Sequence, residues 1–217
     1  MFELLSLFFL LILFLIVLSI IWRINARKYI SSGTVASAYD AWTQDKLLER
    51  LWGEHIHLGF YPVEKQNIDF RKAKVQFVHE LVKWSGLDKL PKGSRILDVG
   101  CGIGGSSRIL AKYYGFSVTG ITISPAQVKR ARELTPLGLN CNFQVMDALN
   151  LRFEDGSFDA VWSVEAGAHM SDKTKFADEM LRTLRPGGYL ALADWNSRDL
   201  KAYPPSFFEK LVLKQLL

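Results

Sequence analysis

Cysteine is nearly absent from this chain: Cys101 and Cys141 are the only two in 217 residues, too few for a disulfide framework. Long basic runs are missing too. The net charge of +5 is spread thinly along the chain, which argues against a dedicated nucleic-acid binder and suits a protein lying near an anionic surface. Charge of either sign is scarce at the start, where residues 1–22 hold Glu3 and no Lys or Arg. Disorder and collagen-like repeats are excluded by 49% hydrophobic and 23% charged residues. One domain, or one domain with an appendage, remains.

Leu4 to Trp22 reads LLSLFFLLILFLIVLSIIW, with Ser6 and Ser19 its only polar members. As a helix it spans about 28 Å, enough to cross a hydrocarbon layer. Arg23, Arg27 and Lys28 follow, so the positive-inside rule places the rest of the chain on the cytoplasmic side. A cleaved signal peptide is the rival, but the small-x-small site Ala36-Ser37-Ala38 lies well past the apolar run. The expectation is a single-pass membrane protein with membrane lipid as a partner.

Val35 to Trp52 has helix-forming composition, and an irregular stretch, GEHIHLGFYP, follows it. Asp69 is placed to cap a helix in which Val75, Val78, Leu81 and Val82 recur until Gly86. Short apolar runs then alternate with helical stretches: 95–99, 117–123, 142–146, 158–164 and 189–195. Such runs are strands covered on both faces, so the fold class is α/β with a parallel sheet flanked by helices. Ser124 with Pro125, and Asp172, are candidate helix starts; Phe176, Met180, Leu181 and Leu184 share a face of the last helix.

After the first strand comes Asp98-Val99-Gly100-Cys101-Gly102-Ile103-Gly104-Gly105, opening a helix. Gly100, Gly102 and Gly105 also satisfy the dinucleotide fingerprint, which alone is weak. That fingerprint expects an acidic residue about twenty positions on, yet GITISPAQ (120–127) has none. Asp98, two residues before the first glycine, gives D-x-G-x-G-x-G, the form typical of S-adenosylmethionine sites.

ILDVGCGIGGSSRILAKYYGFSVTGITISPAQVKRA, WSVEAGAHMSDK, ADWNSRD and YDAWT...WGEHIHLG together resemble the 2-methyl-6-phytyl-1,4-benzoquinol and gamma-tocopherol methyltransferase family of photosynthetic organisms. The resemblance covers essentially the whole chain. It implies a class I (Rossmann-like) methyltransferase fold, S-adenosyl-L-methionine as methyl donor and a prenylated quinol, or a similar lipophilic molecule, as acceptor. By the same resemblance the membrane is a cyanobacterial inner or thylakoid membrane, or a plastid one. The domain map reads as an anchor (1–22), a linker and covering region (23–68), a cofactor-binding core (69–200) and the start of a truncated C-terminal helix (201–217), with the last strands of the sheet lacking.

Expected cofactor contacts are Asp98, Gly100, Cys101, Gly102 and Gly104 in the loop; Thr122, Ser124 and Gln127 in place of the missing ribose carboxylate; Asp147 and Ala148 at the adenine; and Ser163 in the fourth strand. Methyl transfer to a ring needs a base, and the candidates are Glu165, His169 and His57, with His55 beside it. A four-residue spacing would put Glu165 and His169 on one helical turn. Each has a plainer alternative: Asp98 as a loop brace, Asp147 as a turn residue, His169 as a backbone brace. Tyr39, Trp52, Phe60 and Tyr61 either line the pocket or pack under a cover. His55-x-His57 and the two cysteines make no complete metal set, so no metal is expected. Alternative functions are tocopherol O-methylation, sterol or lipid methylation, a nicotinamide oxidoreductase, and a cofactor-binding remnant without activity.

Overall fold

The computed structural model describes residues 11–18, 32–64, 67–196, 202–204 and 206–209. The chain divides into two compact units, Met1–Tyr29 with Asn196–Leu217, and Ile30–Trp195. In the first, residues 11–18 and 207–209 are helical.

The single-pass membrane prediction is corrected. Among the described residues no helix is long and apolar enough to cross a membrane. The rest of the predicted span, 4–10 and 19–22, lies outside the described residues, as does most of the predicted C-terminal helix. A membrane-lipid partner loses its support with the span.

The second unit is a five-stranded parallel sheet of order β3-β2-β1-β4-β5, built from β1 (Arg95–Val99), β2 (Ser117–Thr122), β3 (Cys141–Val145), β4 (Phe158–Val164) and β5 (Leu184–Ala193). Ahead of the sheet lie α1 (Ser32–Gln44), α2 (Leu47–Trp52) and α3 (Phe70–Ser85); between its strands lie α4 (Gly105–Tyr114), α5 (Pro125–Leu134) and α6 (Lys173–Thr183).

The strands lack strict polar alternation because both faces are covered. On one face Ile96, Val118, Ala160 and Trp162 meet Val78 and Val82 of α3 and Leu110 of α4. On the other, Leu97, Val99, Ile121 and Val161 meet Phe176 and Met180 of α6. Leu181, expected on that buried face, is exposed, and the small Thr183 is buried instead. Val75 of α3 likewise turns outward.

Helix ends follow the local chemistry. Asp69 accepts from the Arg71 and Lys72 amides, Ser124 from the Gln127 amide with Pro125 behind it, and Asp172 from the Lys175 amide. The predicted helix over 35–52 is broken at Lys46, whose left-handed φ of 55° separates α1 from α2. The fifth strand begins earlier than its apolar run, at Leu184, with a register shift against β4 between Phe158 and Ala160. β1 is central: the chain winds outward from it through β2 to β3 at one edge, then crosses back to β4 on its other side. In open parallel sheets that switch point opens a ligand crevice beyond the carboxyl ends of the strands.

Candidate active site

Gly100, Gly102 and Gly104 all take left-handed φ, at 80°, 55° and 81°. At Gly104 a Cβ would lie 2.6 Å from Phe143 Cζ and 2.9 Å from Arg108 Nη1, so glycine is required by packing. At Gly102 a Cβ would meet nothing within 4 Å, leaving open space beside the backbone. Cys101 between them is buried and turned toward Gly120, and burial pushes its thiol up, away from reactivity.

Asp98 is fully enclosed at the end of β1, where the Ser107 hydroxyl donates to it at 2.5 Å. Among the described residues it has no ion-pair partner, and burial raises its carboxyl to about 7. Asp98 is thus a buried acid without a cation among the described residues, and the backbone at Gly102 faces open space.

Thr122, Ser124 and Gln127 are buried and bonded to each other: Thr122 Oγ1 donates to Gln127 Oε1 at 2.6 Å, and Ser124 Oγ accepts from the Gln127 amide at 3.1 Å. A carboxylate from a distant segment joins this cluster. Asp40 of α1 accepts from Ser124 Oγ at 2.5 Å and from the Ala126 amide at 3.1 Å through one oxygen. Glu49 of α2 clasps Arg130 of α5 at 2.6 and 2.8 Å. Neither contact was legible in the sequence, because each joins residues more than eighty positions apart.

Asp147 spends one oxygen on its own turn, accepting from the Leu149 amide at 2.9 Å, next to buried Ala148. Ser163 donates to Val99 O at 2.9 Å inside the sheet, bracing β4 on β1.

Beyond β4 the chain turns sharply. Glu165 adopts a left-handed φ of 51°, and the short 3-10 turn Gly167–His169 follows, so Glu165 and His169 do not share a helical turn as their spacing predicted. Lys173 Nζ binds the Gly167, Ala168 and Met170 carbonyls and holds the turn in place. A Cβ on Gly100 would overlap that of Ala166, so this turn lies directly against the glycine loop.

Residues 54–60 are strapped across these loops. Glu54 pairs with Arg108 of α4 at 2.6 Å; the Leu58 amide donates to Glu165 Oε1 at 2.9 Å; the Phe60 amide donates to Ala73 O at 2.9 Å. His57 Nδ1 donates to Leu58 O at 2.7 Å, and its Nε2 faces His55 Nδ1 at 3.1 Å. A carbonyl only accepts, so neutral His57 carries its proton on Nδ1 and takes one from His55. Burial lowers both rings, His55 to about 3, so this pair stays neutral at physiological pH. Both His57 nitrogens are occupied inside the protein. His169, in contrast, is exposed overall, with Nε2 2.9 Å from the Tyr39 hydroxyl. Trp52, Phe60 and Tyr61 are largely exposed. Among the described residues no group of three or more His, Cys, Asp or Glu is arranged to hold a metal.

Residues 97–192, from β1 to β5, match the family model of the methyltransferase domain. Over that stretch the chain is similar to methyltransferase domains. It is 60% identical, over 91% of its length, to the 2-methyl-6-phytyl-1,4-hydroquinone methyltransferase of Synechocystis sp., and covers 62% of that protein. It is 43% identical over 72% of its length to the chloroplastic tocopherol O-methyltransferase of Arabidopsis thaliana, covering 48%. The chain therefore spans about half to three fifths of the length of these curated relatives. A solved geranyl diphosphate C-methyltransferase from Streptomyces coelicolor, holding S-adenosyl-L-homocysteine, superposes with a TM-score of 0.65 at 21% identity, over 88% of this chain and 74% of that one, and shares the fold.

Proposed function

We propose that this chain is a class I S-adenosylmethionine-dependent methyltransferase that transfers a methyl group to a ring carbon of a prenylated aromatic quinol of the 2-methyl-6-phytyl-1,4-benzoquinol type. What carries the reading is the turn of Glu165 and His169, which lies against the glycine loop and is reached by Tyr39. In this reading the proton-accepting groups of that turn serve the acceptor. The 60% identity to the Synechocystis enzyme supports the acceptor class.

Bound S-adenosylmethionine supplies a methyl group already activated on a sulfonium. Asp98 would hold its ammonium, Gly102 would let the ligand approach the backbone, and Thr122, Ser124, Gln127, Asp147 and Ala148 would border the nucleoside. Cys101, Gly100, Gly104 and Ser163 shape the floor. The strap over 54–60 excludes water and, through its Leu58 amide, orients Glu165. His57 holds the strap in shape. At the acceptor, a quinol hydroxyl surrenders its proton to the base, which raises the nucleophilicity of the neighbouring ring carbon; after methyl transfer the base returns that proton to the ring oxygen and takes up the ring hydrogen as aromaticity returns, so one proton is released net.

Incubation with labelled S-adenosylmethionine and a panel of prenylated quinols, tocopherols and sterols tests this. Label on a quinol ring carbon is the expected product. Label on a tocopherol oxygen would move the assignment to O-methylation, and no labelled product would refute the function.

A further inference from the structure

We propose that Tyr39 is the proton relay of this site: its hydroxyl takes the acceptor's proton and hands its own to His169. The assignment rests on the methyl transfer proposed above, and it gives His169 a specific working nitrogen. Tyr39 sits on α1, 130 residues from His169, and its ring meets the imidazole edge-on with centroids 5.5 Å apart. Trp42 backs the phenol from the other side at 5.3 Å. The pair is therefore fixed in angle as well as distance.

The direction of the hydrogen bond follows from the surroundings. Burial and the Glu165 carboxylate both raise the phenol pKa, so Tyr39 keeps its proton and donates it. Partial desolvation lowers the imidazole, so His169 is neutral and accepts at Nε2. Its own proton then resides on Nδ1. The basic lone pair of His169 is thus already engaged, and an acceptor proton reaches it through the tyrosine oxygen. Among the described residues that oxygen has no other hydrogen-bond partner, and it is free to accept.

The proton balance closes. The quinol O–H bond breaks and its proton bonds to Tyr39 Oη; the Tyr39 O–H bond breaks and that proton bonds to His169 Nε2. The electron pair stays on the quinol oxygen and the positive charge appears on the imidazole. Three charged groups face that charge. Asp194, at the end of β5, favours it; Lys173 on α6 opposes it but is engaged with three carbonyls; Glu165 lies on the tyrosine side.

The test uses the whole 217-residue chain, whose four histidines keep ring-nitrogen NMR spectra simple. In the wild type His169 should be locked with its proton on Nδ1. In Tyr39→Phe, which keeps the ring but loses the hydroxyl, both tautomers should appear and the imidazole pKa should rise, because the neutral form has lost a donor. Calorimetric affinity for S-adenosylhomocysteine should not change. With a prenylated quinol, kcat should fall by about 10²-fold at unchanged KM, and its acid limb should move to higher pH. His169→Asn should cost a similar factor, and the double variant no more than either single one. A wild-type proton on Nε2, or undiminished turnover in Tyr39→Phe, overturns the relay alone. A wild type with the Nδ1 tautomer that binds the cofactor product but methylates no quinol overturns the proposed function, and the relay with it.

Discussion

Gly102→Val should separate binding from folding, and Gly104→Ala supplies the contrast. Both glycines are left-handed, so any side chain costs about 1–2 kcal/mol of backbone strain. At Gly102 that is nearly the whole cost, since a Cβ meets nothing within 4 Å. The melting temperature should drop by roughly 2–8 °C at 2–4 °C per kcal/mol for a chain this size. Affinity for S-adenosylhomocysteine should fall at least about 100-fold, equivalent to about 2.7 kcal/mol, because the valine fills the space the ligand needs. At Gly104 the added methyl would stand 2.6 Å from buried Phe143, contributing about 1–3 kcal/mol of overpacking beyond the strain. The sum, roughly 2–5 kcal/mol, is a sizeable part of a domain's stability. Calorimetric titration and thermal unfolding of both variants read the two quantities separately. The reasoning is refuted if Gly102→Val binds within threefold of wild type, or if it melts as low as Gly104→Ala.

Burial lifts the Asp98 pKa to about 7, above its unfolded value near 4, so the ligand-free protein should lose stability as pH rises from about 4 to about 7. Asp98→Asn should flatten that slope in urea titrations, and an unchanged slope would count against it. S-adenosylhomocysteine binding should release a proton below pH 7, seen as a dependence of the calorimetric heat on buffer ionisation enthalpy. Asp40→Ala removes the acceptor for Ser124 Oγ and the Ala126 amide and should cost about 1 kcal/mol; a loss under a few tenths, by chemical denaturation, would deny it a capping role.

Elements with local causes were readable in the sequence. Four strand segments fall within a residue of their apolar runs, and Asp69, Ser124 and Asp172 cap the helices they precede. The glycine loop was legible because left-handed backbone and close approach leave few residue choices. Contacts made by 32–61 were not, since nothing local in YDAWT says that Tyr39 will meet His169 while Asp40 meets Ser124. The Glu165–His169 spacing misled for a related reason. A left-handed residue followed by a 3-10 turn breaks the periodicity that a helical count assumes.

The strap and helices over 32–61 add contacts of a single kind to the folding problem. Their hydrogen bonds to the sheet side of the unit bridge 54 residues from Glu54 to Arg108, 84 from Asp40 to Ser124, 107 from Leu58 to Glu165 and 130 from Tyr39 to His169. Each closes a long loop, and none forms until β1, β2 and β4 have brought their ends together. The segment over 32–61 is therefore expected to dock late, onto a core already assembled. Perturbing it, as in Asp40→Ala, should accelerate unfolding while leaving the refolding rate nearly unchanged, so the site's lifetime is set by how slowly this one segment lets go.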